Sequence, residues 1–197
     1  MIKTLLLLLS LTTLLFGEPM DRTGPYIAVG GGYAVFNDDF RMDAEPLGVN
    51  HSYNINIIGG AFINRYLSVE IAYDYYDTFE NDQNTNTTKL SIADVAAKVH
   101  YPFWNERIDL YGAFGAGQVY WKENLNGISQ DDQSGVLRAD FGVGFRALKW
   151  LTLNIGYRKY HFTLDHDTGE TDVDNNIIYQ RYNMELGSAY TNIEVQF

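Results

Sequence analysis

Hydrophobic and polar residues alternate along much of the chain with a period of two. The clearest stretch covers residues 67–76, where Leu67, Val69, Ile71, Tyr73 and Tyr75 alternate with Ser68, Glu70, Ala72 and Asp74. Successive side chains of a β-strand point to opposite faces. The pattern therefore predicts a strand with one apolar and one polar side.

Seven further segments have the same character, although the fifth is rich in glycine and its facing is ambiguous. The sequence predicts eight strands in all. They cover about residues 25–36, 52–63, 67–76, 90–101, 108–121, 136–146, 151–162 and 182–197.

The predicted connections alternate in length along the chain. Residues 64–66, 102–107 and 147–150 are short connections, whereas residues 37–51, 77–89, 122–135 and 163–181 are long and polar. Short periplasmic turns and long extracellular loops are typical of barrels in the bacterial outer membrane. The prediction is an all-β, eight-stranded antiparallel transmembrane barrel. The alternative is a water-soluble sandwich or lipocalin-like barrel, which would bury the apolar faces instead.

The beginning of the sequence resembles an export signal. Lys3 provides a positive charge, residues 4–16 are almost entirely apolar, and Gly17 follows as a small residue. This run is too short to span a bilayer, so we predict a signal peptide over residues 1–17 that is cleaved. Residues 18–197 would form the barrel domain.

Composition fits this interpretation and excludes several classes. The chain has 15 Tyr, 11 Phe, 3 Trp and 18 Gly, and aromatic residues are expected at both interfaces of a membrane barrel. It has no cysteine, which excludes a disulfide framework or a lipoprotein anchor. Its net charge of −11 argues against nucleic acid or an anionic lipid surface as a partner.

Several segments resemble the small eight-stranded outer-membrane barrels, namely the OmpA transmembrane domain and the opacity-type porin-family proteins. The resembling segments are residues 26–33, 67–73 and 111–117, together with the last strand, which ends on Phe197. The resemblance implies location in the bacterial outer membrane, contact with its lipids and lipopolysaccharide, and Phe197 as a signal for the barrel assembly machinery. Unlike OmpA, the sequence has no periplasmic peptidoglycan-binding domain after the barrel, so a cell-wall tether is not implied.

The polar faces of the predicted strands carry the candidate functional residues. Ten ionisable side chains are expected to point into the lumen: Glu70, Asp74, Asp94, Lys98, His100, Arg138, Asp140, Arg146, Arg158 and Glu194. An eight-stranded barrel is just wide enough for its own side chains, and buried charges must be paired. We expect Glu70, Asp94 and Glu194 to pair with the lysine and the arginines and so plug the lumen. A narrow conduction path is the alternative.

Catalytic, cofactor and metal sites are not predicted. A lipid A deacylase needs a serine two residues after a histidine, but Thr163 follows His161 and Thr168 follows His166 at that spacing. Residues 165–174 have alternating acidic residues but lack the pattern of an EF-hand loop. A loose divalent-cation site among lipopolysaccharide phosphates stays open for this loop.

The sequence therefore predicts a structural outer-membrane barrel rather than an enzyme. Four loops would present a surface for contact or adhesion, with a surface ligand of unknown identity, and a salt-bridge network would plug the lumen. The alternatives are a small-solute or ion channel and a lipid-modifying enzyme.

Overall fold

The computed structural model describes residues 22–37, 51–80, 87–125, 128–171 and 177–197. The predicted signal peptide, residues 1–17, lies outside this range. Eight strands account for nearly all described residues: β1 (Gly24–Asn37), β2 (His51–Asn64), β3 (Leu67–Glu80), β4 (Thr87–Phe103), β5 (Ile108–Leu125), β6 (Ile128–Leu148), β7 (Leu151–Thr171) and β8 (Ile177–Gln196).

The eight strands form one closed antiparallel barrel. Each strand pairs with its neighbour in sequence, and β1 pairs with β8, with Tyr26 opposite Gln196 at the start of the register. Closure leaves no unpaired sheet edge. In the described part of the chain, no helix is long and apolar enough to cross a membrane. The predicted fold is confirmed.

Alternating burial along each strand shows which face points inward. In β2, Tyr53 is 69% exposed and Ile55 60%, whereas Asn54 and Asn56 are buried. A water-soluble barrel would bury its apolar face and expose its polar face. Here the apolar face is outside, as a surrounding lipid requires, so the water-soluble alternative is wrong.

Aromatic side chains lie at both edges of this outer apolar band. Tyr33, Tyr53, Tyr75 and Tyr120 are exposed towards the end where the long hairpins extend, and Tyr66, Tyr101, Trp104, Trp150 and Phe197 are exposed at the opposite end. Such belts mark the two membrane interfaces. Composition predicted aromatic residues only at the interfaces, but a second group of aromatic side chains is buried inside the barrel. A narrow lumen needs bulky side chains to fill it.

The strands are longer than predicted at the end with long connections. Strand β6 begins at Ile128 and β7 ends at Thr171, so much of the predicted loops 122–135 and 163–181 is strand. The alternation that predicts a strand disappears where both faces contact water, although the backbone still pairs as a hairpin. Residues 38–50, 81–86, 126–127 and 172–176 of the predicted loops lie outside the described residues.

Candidate functional site: the charged lumen

The ten ionisable residues expected in the lumen all have buried side chains inside the barrel. They come from β3, β4, β6, β7 and β8 because each lies on the inward parity of its strand. The chain therefore concentrates acidic and basic groups in a space that is closed on all sides by the sheet.

Arg138 is the centre of the network. Its Nη1 donates to Asp94 Oδ1 at 2.7 Å and its Nη2 to Asp140 Oδ2 at 2.7 Å. The same Nη2 also donates to Glu70. One guanidinium on β6 thus contacts carboxylates from β3, β4 and β6. A planar donor set of this kind suits several carboxylates at once.

Arg158 forms the second centre. It donates to Asp74 Oδ2 at 2.6 Å and to Asp140 Oδ2 at 3.1 Å. Sequence reasoning proposed Glu70, Asp94 and Glu194 as the partners of the cations, but Arg158 pairs with Asp74 and Asp140 instead. Strand register, which the sequence does not determine, sets this choice.

Tyrosine hydroxyls complete the hydrogen bonding of the carboxylates. Tyr160 Oη lies 2.7 Å from Asp74 Oδ2 and 2.8 Å from Asp94 Oδ2, so it links the two arginine centres. Tyr190 donates to Asp140 Oδ1 at 2.7 Å. Buried charge is tolerated only when such partners replace its hydration.

Lys98 and Glu70 form the level below Arg138. Lys98 Nζ is 3.6 Å from Glu70 Oε2 and 4.2 Å from the centre of the Tyr111 ring. Tyr26 donates to the same Glu70 oxygen at 3.0 Å. An ion pair, a cation–π contact and a phenol hydrogen bond therefore stabilise this level together.

A third group lies near the short-turn end and includes residues that sequence reasoning missed. His100 Nδ1 is 2.6 Å from Asp109 Oδ2, which also pairs with Arg22. The facing of the glycine-rich β5 was ambiguous, and Arg22 precedes the first strand. Asp109 and Tyr111 lie on the same inward face of β5. Tyr111 was the one sequence signal that could have shown that Asp109 also points inward. Arg107 is also buried here.

Arg146 and Glu194 are both buried at this end. Arg146 Nη2 donates to Gln196 Oε1, and Glu194 accepts from Asn154 Nδ2 at 3.2 Å. Asn154 also donates to Asn192 at 2.8 Å. The level nearest the short turns is thus held by amides as well as by charges.

Inward glycines make room for the inward tyrosines. A Cβ at Gly60 would lie 2.4 Å from the Tyr26 ring, and one at Gly156 would lie 2.6 Å from the Tyr190 hydroxyl. Glycine inside a strand often marks such a close approach. Tyr26 is the register partner of Gly60 and Tyr190 that of Gly156, so glycine on the polar parity signals a bulky inward side chain on the paired strand.

An apolar cluster fills the lumen beyond the arginines, at the long-hairpin end. Sequence reasoning had assigned only polar chemistry to the inward faces. The cluster comprises Ala34, Tyr76, Phe79, Leu90, Ile92, Val119, Trp121, Val136, Tyr160, Phe162, Met184 and Leu186, all buried. Its members lie where the inward residues of the strands change from charged to apolar, just below the outer rim.

The candidate catalytic histidines lie on β7, and the candidate metal loop begins there. Among the described residues, no group of three or more His, Asp and Glu side chains is arranged to hold a metal ion. The side chains of the candidate loop 165–174 and of His166 lie outside the described residues. His161 points outward, 3.8 Å from Glu185, away from the lumen.

The closed eight-stranded barrel, its apolar outside and its filled, charged interior define a small barrel of the outer-membrane class. The family model described as "Outer membrane protein beta-barrel domain" matches residues 4–183. The chain therefore belongs to the outer-membrane β-barrel family. Comparison with curated protein sequences gave no match.

Solved structures show the same fold. Neisserial surface protein A is 16% identical, with a TM-score of 0.67 and coverage of 89% of this chain and 98% of that one. Ail, the attachment invasion locus protein of Yersinia pestis, is 17% identical, with a TM-score of 0.54 and coverage of 89% and 99%. OprG of Pseudomonas aeruginosa is 8% identical, with a TM-score of 0.53 and coverage of 92% and 100%.

Proposed function

We propose that the protein is a structural outer-membrane barrel with a plugged lumen, whose outer hairpins and four loops present a surface for contact or adhesion. The barrel anchors this surface in the membrane, and the interior network makes the anchor rigid. Neither a reaction nor a cofactor is part of the proposal.

The contact of Arg138 with three carboxylates is the observation that carries the plug. Arg138, Asp94 and Glu70 are each at most 3% exposed, and they join strands on different sides of the lumen. An ion passing this level would have to break charge-assisted hydrogen bonds in a site of low dielectric constant. The apolar cluster above it is a second barrier, because such constrictions exclude water.

The length of the strands supports the surface role. A membrane-crossing barrel strand needs about 9–11 residues, whereas β6 and β7 have 21 each and β8 has 20. The excess projects past the outer aromatic belt as paired ribbon. A rigid ribbon presents side chains at a fixed place, which favours binding because less entropy is lost.

The partners follow from this placement. Lipids of the outer membrane, including lipopolysaccharide, surround the apolar band, and the barrel assembly machinery would act on the last strand with Phe197. Export would use the cleaved signal peptide, residues 1–17. The surface ligand is a molecule that the outer ribbons contact, and nucleic acid is not among the partners.

Conductance across planar bilayers tests the plug against the channel alternative. Purified protein without residues 1–17 is inserted, and current is recorded in concentrated salt. The proposal predicts no stable steps from the wild-type protein. Large and reproducible steps would overturn the plug and favour a channel.

Adherence tests the surface role separately. Non-adherent bacteria that display the protein are compared on epithelial monolayers with bacteria that display a variant lacking the paired residues 123–130 and 166–180, which shortens both hairpins in register. The proposal predicts adherence of the first strain and loss of adherence with the trimmed barrel at equal surface level. Equal adherence of both strains would contradict it.

A further inference from the structure

Two lysines face each other on the outside of the barrel at its outer edge. Lys89 on β4 is the direct register partner of Lys122 on β5, and both side chains are exposed on the outward face. Among the described side chains, neither lysine forms an ion pair with a carboxylate. Asp131 is the register partner of Lys122 on β6, yet this pair is also farther apart than an ion pair.

Like charges at directly opposite positions of a sheet destabilise it, because their Cβ atoms lie only about 4.5–5.5 Å apart. Two other exposed cations of this barrel are neutralised: Lys159 Nζ lies 2.7 Å from Glu185 Oε2, and Arg65 lies 3.6 Å from Glu106. Lys89 and Lys122 have no such partner among the described residues, and they are also register partners of each other. Two lysine side chains at directly opposite positions can be bridged by an anion with several oxygens.

The position of Lys89 and Lys122 along the barrel axis indicates which kind of anion they can reach. Lys89 is 12 residues from Tyr101, which belongs to the belt at the short-turn end. At about 3.3 Å per residue and a strand tilt of about 40°, this separation is about 30 Å along the barrel axis. The apolar band of such barrels is about 25 Å tall, so the lysines lie just past its outer edge, at headgroup level.

A surface cavity of about 550 Å³ accompanies the pair. Both lysines line it together with Ser91 and the rings of Tyr75 and Tyr120 from the outer aromatic belt, and Asp131 and Asp132 lie on its β6 side. The hydroxyl of Tyr120 donates to Gln118 Oε1 at 2.8 Å. The cavity therefore combines tyrosine rings with two lysines on β4 and β5 and two aspartates on β6.

We propose that Lys89 and Lys122 bind a phosphate group on the sugar headgroup of a lipid in the outer leaflet. The tyrosine rings lie against the apolar part of that lipid, and the ammonium groups bridge its phosphate oxygens. The proposal rests on the orientation used above, with the long hairpins outside. The net negative charge of the whole chain argued against an anionic lipid surface, but local charge decides contacts at this range because salt screens beyond about 10 Å.

Thermal unfolding in lipid nanodiscs tests the assignment. Barrel without residues 1–17 is placed in phosphatidylcholine with diphosphoryl lipid A, with lipid A from which both phosphates have been removed, or with inorganic phosphate in the buffer. We expect the diphosphoryl lipid alone to raise the unfolding midpoint. Native mass spectrometry should show that lipid bound, with affinity reduced about tenfold or more in K89Q/K122Q.

Two matched variants control the experiment. Lys149→Gln removes an exposed lysine in the turn at the opposite rim, and Lys159→Gln removes one that Glu185 already neutralises. Both should keep most of the binding. Equal binding by K89Q/K122Q and the wild type would overturn the proposal, and so would an equal rise with inorganic phosphate, which would assign the pair to a free anion.

The single variant K122Q gives a signature that misfolding cannot imitate. In pure phosphatidylcholine it should raise the unfolding midpoint, because the repulsion with Lys89 is removed. In diphosphoryl lipid A it should lower the midpoint, because a phosphate contact is lost. A change of the same sign in both lipids would contradict the site. The result does not depend on conductance or adherence, so it can fail while the proposed function stands.

Discussion

Arg138 and Asp94 meet across the inside of the barrel, from strands that are not neighbours in the sheet. Arg138 Nη1 donates to Asp94 Oδ1 at 2.7 Å, and both side chains are buried. β4 and β6 are separated by β5, whose inward residues at this level are Gly115 and Gly117. The small glycines leave the space through which the contact is made.

The first prediction concerns this pair. Removing one member of a buried ion pair leaves the other charge uncompensated, so Arg138→Met or Asp94→Asn should each lower the free energy of unfolding by about 3–5 kcal/mol. The double variant should lose less than the sum of the two. The free energies of unfolding of the two single variants and the double variant are measured by urea titration in lipid vesicles. The folded fraction is read from the heat-modifiable mobility on gels. Strict additivity would show that the two side chains do not interact.

The second prediction concerns the lipid-facing surface. Ile71 is 66% exposed and lies within the apolar band, so Ile71→Arg should cost about 2–4 kcal/mol of stability in a bilayer. Ile63→Arg, on the same outward face but next to the short-turn end of β2, should cost only about 0–1 kcal/mol. Folding equilibria in vesicles compare the two. An Ile71→Arg barrel as stable as the wild type would mean that this face does not contact hydrocarbon.

The third prediction uses two adjacent glycines of β2. A Cβ at Gly60 would lie 2.4 Å from the Tyr26 ring, whereas a Cβ at Gly59 meets nothing within 4 Å. Gly60→Ala should therefore destabilise the barrel by about 1–3 kcal/mol through overpacking. Gly59→Ala should not. Tyr26→Leu has its own cost, because the hydroxyl of Tyr26 donates to Glu70. The double variant Tyr26→Leu/Gly60→Ala should lose less than the sum of the two single variants, and strict additivity would place the cause elsewhere.

The fourth prediction separates assembly from stability at the end of β8. Phe197 is 72% exposed, and its backbone N–H donates to Pro25 O at 3.0 Å, a bond that any residue can make. Phe197→Ala should therefore leave the unfolding free energy within about 0.5 kcal/mol of the wild type. The rate of insertion by the assembly machinery in cells should fall. Normal insertion with reduced stability would give Phe197 a structural role instead.

Much of this architecture follows from local chemistry that a sequence displays. Alternation in residues 67–76 predicts both a strand and its facing, because a period of two needs only neighbouring residues. The inward position of Glu70, Asp94 and Arg138 follows from the same rule. The fifth strand shows the limit: Gly112, Gly115 and Gly117 lack side chains, so the parity of Asp109 and Tyr111 could not be read.

Pairing and filling of the lumen depend on the whole barrel. Arg158 meets Asp74 rather than Glu194 because of register and of the circumference of the closed sheet, which no local pattern encodes. The apolar cluster around Phe162 and Leu186 was missed for a related reason. Beyond the membrane, the outer face of the barrel is polar while the inner face is apolar. Alternation of apolar and polar residues therefore no longer shows which face points inward.

Water access to the level of Arg138 is the most direct measure of the plugged lumen. The chain has no cysteine, so single cysteines can be introduced one at a time. Ala96 is 2% exposed and faces the lumen on β4, between Asp94 and Lys98. In bilayers, a charged thiol reagent should leave Ala96→Cys unmodified while it labels Lys149→Cys, in an exposed turn, within minutes. Labelling of both cysteines at similar rates in the folded barrel would mean an open, hydrated lumen and would contradict the account.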